Sequence, residues 1–390
     1  MDIKQRADEL LDYVTVFRHD LHQHPELGLR EFRTTDRICE ELDKLGLTYT
    51  RFEPTGLICD IKGELPGTHT VGLRADIDAL PITETTGLAW ASQTPGVMHA
   101  CGHDTHAAML LGAARILRDI RSQFGGTVRC IFQPSEENCQ GAKAIIAQGA
   151  ADGVEKFLEV HIWPNFNGSG WVGGFDMKDG AGVSNFKVTV QGQTCHGQFP
   201  QQGIDSIVIA CQIILALQTV ISRRISPFDK AVISIGKINA GTAPNIVAGE
   251  TTFEGTIRYH SMELREKLPA LARELCEGVA QANGGRAQFT YEELVPPLIN
   301  HPDIKRLVAG AAEKLHDGQD WCLHMPGVMG GEDFTAFQAF GPRAQVYLGG
   351  GGDKMGHQPD FTVEDEAMPW GTAMYVQFAL DALAELNAEV

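Results

Sequence analysis

Between Val183 and Pro296 the chain changes texture, and that change limits the possible folds more than any other feature. Ahead of it, short apolar runs alternate with helical patterns: Gly56-Leu57-Ile58-Cys59, Val71-Gly72-Leu73-Arg74 and Val128-Arg129-Cys130-Ile131-Phe132 read as strands. Leu10, Val14, Phe17 and Leu21 recur at helical spacing and predict one amphipathic helix from about residue 4 to 24, ended by Pro25. Further helices are predicted over Thr34 to Leu45, closed by Gly46, and over Thr105 to Ile120. Strands that alternate with helices imply a mixed sheet with helices on its faces. From Val183 onward the order becomes strand, helix, strand, strand, helix, strand, a split βαβ or ferredoxin-like α+β unit. The α/β texture then resumes with Val346-Tyr347-Leu348 and a final helix from about Met368. The expectation is an α/β catalytic domain over residues 1–182 and 297–390, interrupted by an inserted α+β domain over residues 183–296.

A chain of 390 residues is long for a single core, in keeping with two domains. The formal net charge of −18 disfavours nucleic acids and anionic membranes as partners, since both call for basic surface. Nine cysteines without repeated spacing predict reduced thiols in a cytoplasmic protein, not a disulfide framework. The start, Met1-Asp2-Ile3-Lys4-Gln5-Arg6, lacks an apolar signal core, and no apolar stretch approaches the roughly 20 residues that span a bilayer.

The candidate chemistry lies at predicted strand ends. Cys101-Gly102-His103, Glu136-Glu137, His161 and His357 offer thiolate, imidazole and carboxylate, donors that borderline-soft divalent metals take. In an α/β sheet, ligands gather outside the carboxyl ends of the strands, where these residues are predicted. Adjacent residues of an extended strand face opposite ways, so Glu136 and Glu137 can share a site only on a turn, and Pro134-Ser135 supplies one. Our assignment makes Glu137 the ligand and Glu136 the proton carrier. Each of these residues alone has an ordinary reading, a small buried thiol or a solvated acidic pair. A covalent role for Cys101 with His103 as its base is a rival of different chemistry.

Longer stretches carry a resemblance: Asp20-Leu21-His22-Gln23-His24-Pro25-Glu26-Leu27-Gly28, Leu73-Arg74-Ala75-Asp76-Ile77-Asp78-Ala79-Leu80-Pro81, Met98-His99-Ala100-Cys101-Gly102-His103-Asp104, Phe132-Gln133-Pro134-Ser135-Glu136-Glu137, His161-Ile162-Trp163-Pro164, Gly331-Glu332-Asp333-Phe334 and Gly356-His357. Over nearly its whole length the chain resembles the dinuclear metallopeptidase and aminoacylase family, in the branch of hippurate, N-acyl-amino-acid and auxin-conjugate hydrolases. The resemblance implies two divalent ions (zinc, manganese, cobalt or nickel) on Cys101, His103, Glu137, His161 and His357, with Glu136 catalytic. It implies hydrolysis of an amide bond in a small N-acylated amino acid or similar conjugate. A dipeptidase or carboxypeptidase activity and a catalytically silent metal-binding protein are the alternatives.

The inserted domain resembles the family's lid, through which a homodimer or higher homo-oligomer is expected. By the same resemblance His196 is an oxyanion donor, a kind of contact worth about 3 kcal/mol, and Asn245 and Arg258 hold the substrate carboxylate. The chain departs from the family's pattern at Thr194-Cys195 before His196 and Gly197-Gln198 after it, at Gln201, at Ile246-Val247-Ala248 and at Asn138-Cys139-Gln140. Those departures surround the expected substrate pocket and leave the ligand set intact.

Overall fold

The computed structural model describes residues 2–164, 172–325 and 327–388. The chain divides into two compact units, one of Met1–Lys178, Ile299–Pro326 and Ala336–Val390, the other of Asp179–Leu298 and Gly327–Thr335.

The first unit opens with α1 (Ile3–Asp8), α2 (Leu11–Gln23) and α3 (Phe32–Lys44). The first two replace the single expected helix. The amide of Leu10 bonds back to the Ala7 carbonyl in a tighter turn, and the resulting bend lets Ala7, Leu10, Val14 and Phe17 all reach the core. β1 (Tyr49–Arg51), β2 (Leu57–Lys62), β3 (Leu65–Asp76), α4 (His103–Asp119), β4 (Gly125–Gln133), the short α5 (Gly141–Ile146), β5 (Lys156–Trp163) and β6 (Val172–Asp176) follow.

The second unit contains β7 (Gly182–Gln191), the two-residue β8 (Cys195–His196), α6 (Ser206–Thr219), β9 (Ala231–Ala240), the two-residue β10 (Ile246–Val247), β11 (Glu250–Tyr259), α7 (Met262–Ala282) and β12 (Arg286–Val295). Its four-stranded antiparallel sheet has the order β12-β7-β11-β9, the split βαβ arrangement. Phe186, Val188, Phe253, Ile257 and Phe289 point from the sheet into a core shared with Ile213 and Leu217 of α6 and Leu268 and Cys276 of α7. One expectation needs correction here. The helical run Ser206–Arg224, a π-helical turn included, is 19 residues long with mean hydropathy 1.7, long and apolar enough by composition to cross a bilayer. Its inner residues Ile209, Ala210, Ile213, Leu217 and Val220 are packed in this core.

Returning to the first unit, the chain adds α8 (Pro302–Leu315), β13 (Arg343–Gly350) and α9 (Met368–Ala388). The seven-stranded mixed sheet runs β1-β2-β4-β3-β5-β13-β6. β4, β3, β5 and β13 are mutually parallel, so their carboxyl ends share one edge. Parallel strands are covered on both faces, and β5 and β13 are buried along almost their whole length although they carry Glu159, His161, Arg343 and Gln345. α4 and α9 are almost wholly buried against this sheet, through Met109, Leu110, Ile116, Tyr375 and Phe378 among others.

Candidate metal centre

Each candidate ligand leaves the shared carboxyl edge of the first unit's sheet by its own device. His161 lies near the end of β5. Cys101 and His103 flank Gly102, whose left-handed backbone (φ +88°) opens α4; a Cβ there would stand 2.4 Å from Ile162. Beyond β4 and Pro134, Ser135 adopts φ +58° and turns Glu136 and Glu137 toward the same cluster. This turn closes on itself, because Gly141 at the start of α5 lies so near Pro134 that a Cβ would sit 1.5 Å from the Pro134 carbonyl oxygen. After β13, His357 (φ +66°) donates its amide to the Ala100 carbonyl at 2.7 Å, which ties its loop to that of Cys101.

Donor atoms of Cys101, His103 and His161 lie within 4.8 Å of one another, as do those of Cys101, Glu137 and His357, and those of His103, Glu136 and Glu137. Cys101, His103 and Glu137 each belong to two of these groups, an arrangement that two neighbouring ions with common ligands would fit. Cys101 Sγ is 3.7 Å from His161 Nε2, and His357 Nε2 is 3.4 Å from Glu137 Oε1. His103 and His161 are buried, Cys101 is half-buried and His357 is exposed, so the cluster opens on one side.

The imidazoles are oriented from behind. His103 Nδ1 faces Asp78 Oδ1 at 3.2 Å, and His161 Nδ1 donates to the Ile162 carbonyl at 2.7 Å, which leaves both Nε2 atoms directed into the cluster. Asp78 also accepts the Glu136 and Glu137 amides at 3.0 and 3.1 Å. His106 Nδ1 donates to Asp76 at 2.5 Å while its Nε2 accepts the Ile162 amide at 2.8 Å, so this ring is neutral. Asp76 in turn pairs with Arg74, which also pairs with Glu159. Sequence reasoning left Asp76 and Asp78 without roles. Their signal is a carboxylate at every second position as a buried strand ends, where solvent cannot account for the charge.

The electrostatics fit a cation site. Burial and the neighbouring His106 keep His161 neutral, far below the ordinary imidazole range. Burial also disfavours charge on His103, but Asp76 and Cys101 outweigh it and hold its pKa well above normal. Hydrogen bonding to Cys101 and Glu137 lifts His357 to about 10. Burial would raise Glu137, but His357 and His103 bring it below its usual value. Protons thus collect on His103 and His357, the imidazoles that face Asp76 and Glu137. His103 Nε2 and Glu137 Oε1 are buried and face each other at 3.8 Å without a well-formed hydrogen bond, with His357 only at 3.4 Å from the carboxylate, a costly arrangement unless something else binds them. Thiolate, imidazole and carboxylate donors around two such orphan atoms fit divalent metals.

Beside the centre lies a second polar network. Arg18 donates to Asp104 Oδ2 at 3.1 Å, His22 Nδ1 shares that oxygen at 2.9 Å, and Glu84 stands 3.3 Å from His22 Nε2. His19 stacks on Trp90 with ring centroids 4.1 Å apart. His99 is fully buried, and burial drops its pKa to about 4, so it is neutral.

In the second unit, β8 pairs with β10 so that His196 lies opposite Ile246, and the Gly197 amide donates to the Asn245 carbonyl at 2.8 Å. His196 and Asn245 are therefore neighbours and both are exposed. Arg258, on β11, donates from Nη1 to the Met329 carbonyl at 2.7 Å, and His260 Nε2 donates to that of Val328 at 2.6 Å. These bonds attach the segment Gly327–Thr335 to this unit, although it follows the inserted domain by some thirty residues of sequence.

Residues 72–381 match the profile of peptidase family M20/M25/M40. The chain is 37% identical over 378 residues to an N-acetylcysteine deacetylase of Bacillus subtilis, covering 95% of this chain and 97% of that one. It is 33% identical over 391 residues to thermostable carboxypeptidase 1 of Saccharolobus solfataricus, covering 97% of each. Among solved structures it resembles a dinuclear metal-binding peptidase of the M20 family from Bacillus subtilis, with a TM-score of 0.85 and 33% identity over 97% of this chain and 99% of that one.

Proposed function

Because this chain belongs to peptidase family M20/M25/M40, and is therefore a dinuclear-metal hydrolase of amide or peptide bonds, we propose that it cleaves the acyl–nitrogen bond of small N-acylated amino acids. The observation that carries the proposal is the convergence of Cys101, His103, Glu137, His161 and His357, with Glu136 beside them. The 37% identity to an N-acetylcysteine deacetylase favours an acyl group over a second amino acid.

Cys101, His103, Glu137, His161 and His357 would hold the two ions, zinc, manganese, cobalt or nickel. When bound, such ions polarise an acyl oxygen and make a water molecule acidic near neutral pH. Glu136, 8% exposed and set against His103 and Glu137, takes the proton from the attacking water and gives it to the leaving nitrogen. The carbon–nitrogen bond breaks, the acyl group leaves as a carboxylate and the amine leaves protonated. His196 of the partner subunit donates to the oxyanion, and Asn245 with the remaining guanidinium N–H groups of Arg258 binds the substrate carboxylate. β9 is an outer strand of its sheet, with Val232 and Ile238 exposed. Ile207, Val208 and Leu215 of α6 also face outward, Leu215 at 72% exposure. These features support pairing of two lid units through β9 and α6. The free state of all nine cysteines supports a reducing, cytoplasmic setting.

The test is a panel of N-acyl amino acids and free-amino dipeptides, assayed on protein stripped of metal and reloaded with each ion in turn. The expected result is turnover of the N-acyl substrates that vanishes on stripping and returns on reloading. Turnover that survives complete stripping, or that is lost only on thiol alkylation, overturns the reading in favour of a Cys101 nucleophile. The likeness to a carboxypeptidase supports a second reading, and preference for the dipeptides would establish it. In sedimentation experiments Leu215→Glu should convert a dimer to a monomer. A wild-type protein that sediments as a monomer removes the proposed lid pairing.

A further inference from the structure

Glu136 and Glu137 can face one cluster only because Ser135 holds a left-handed backbone that L residues with a side chain avoid. Three consecutive amides keep the turn in place, and each is bound by a carboxylate. Asp78 accepts those of Glu136 and Glu137, and Glu31 Oε1 accepts that of Ser135 at 2.8 Å. Glu31 comes from the start of α3, 104 residues earlier in the chain, and is 0% exposed.

A polar side chain in that position often caps its own helix. Glu31 does not: its side chain binds no amide of α3, and the first-turn amides of Arg33 and Thr34 are bound by Glu26 instead, at 3.1 and 2.8 Å. Its second oxygen accepts the Thr55 hydroxyl at 2.6 Å. Next to Thr55, Gly56 donates to Thr35 Oγ1 at 3.0 Å and packs on Pro134, where a Cβ would stand 2.6 Å from the ring. Both oxygens of Glu31 are thus spent on the segment that carries the glutamate pair and on the loop packed beneath it. We infer that Glu31 is a positioning residue for Glu136, acting through the Ser135 amide. The inference rests on Glu136 as the proton carrier.

The test compares Glu31→Ala, Glu31→Gln and Glu31→Asp as metal-loaded proteins, by steady-state kinetics, elemental analysis and amide hydrogen exchange. A displacement of about 1 Å at a reacting group costs about 100-fold in rate. Glu31→Ala should therefore lose about that factor in kcat, with KM and metal content near wild type. Exchange at residues 135–137 should quicken about tenfold, while β5 and α9 keep their protection. Glu31→Gln keeps an oxygen acceptor for the Ser135 amide and should retain near-wild-type kcat and exchange. If Glu31→Ala does not fold, Glu31→Asp keeps an acidic side chain but withdraws its oxygen from the Ser135 amide, and should show the same two losses to a smaller degree. Unchanged kcat and exchange in Glu31→Ala or Glu31→Asp overturns the inference, and so does a Glu31→Gln loss as large as that of Glu31→Ala. The exchange measurement does not depend on which bond is hydrolysed, so a failed substrate assignment and a failed role for Glu31 can be told apart.

Discussion

In the first unit the candidate ligands are held from behind by a buried network of side chains and peptide groups. Asp78 holds His103 and two amides, and the Ile162 peptide group links His161 to His106, which rests on Asp76. In the second unit His196 and Asn245 are exposed and joined by backbone pairing, and the His196 ring accepts the Gln198 amide at 3.2 Å. The contrast separates two tasks. A metal centre needs donors held to a few tenths of an ångström, and buried charge networks supply that. A residue that meets a substrate can sit on a short ladder, at the cost of precision when the substrate is absent.

Substitutions in each unit test that division. Glu136→Gln should give the largest effect, about a 10²–10⁴-fold loss of kcat with metal content unchanged. A protein that binds metal and keeps full turnover would remove the proton carrier. His196→Ala should cost about 10²–10³-fold in kcat without altering metal content. Should metal content fall as well, the separation of tasks breaks down.

A pH effect is expected from His22 in the first unit. Burial disfavours the charged form of His22, yet Asp104 and then Glu84 outweigh it and hold its pKa at about 9. Its contribution to stability is therefore fully present below about pH 6.5 and is lost as pH rises through 9. The loss is at most about 3 kcal/mol. Urea unfolding of wild type and His22→Gln at pH 6 and pH 10 should show the difference, and parallel pH profiles for the two proteins would count against it. Asp78→Ala should lower metal affinity about 10–100-fold, read by competition with a chelator, and should lower kcat as well, because it withdraws the acceptor of both glutamate amides. No change there would mean that the Ile162 peptide group and Asp76 suffice to order the site.

Much of the architecture is legible in the sequence because it depends on local pattern. The alternation of strands and helices, the switch near Val183 and the acid pair after Pro134 all follow from periodicity and turn chemistry. The features that escape it depend on long-range partners. The break between α1 and α2 arises because both must reach one core. The segment Gly327–Thr335 joins the second unit through carbonyls bonded by Arg258 and His260, and no local pattern records such bonds. Arg258, read as a substrate ligand, has one N–H committed there. Glu31 and Asp78 escape for a different reason. Their contacts to the glutamate turn are to backbone amides, which have the same chemistry at every position.

The near-contact of Gly141 with the Pro134 carbonyl has a practical consequence. Residues 134–141 form a clasp whose two ends admit no added atom, so inserting or deleting a residue there would spring it open. Asn138 closes it from within, its Oδ1 accepting the Ser135 hydroxyl at 2.8 Å and the Gln140 amide at 3.1 Å, and Cys139 holds φ +59°, so of the three residues on its outer curve Gln140, exposed and bonded through its backbone, is the one to exchange while the clasp stays shut.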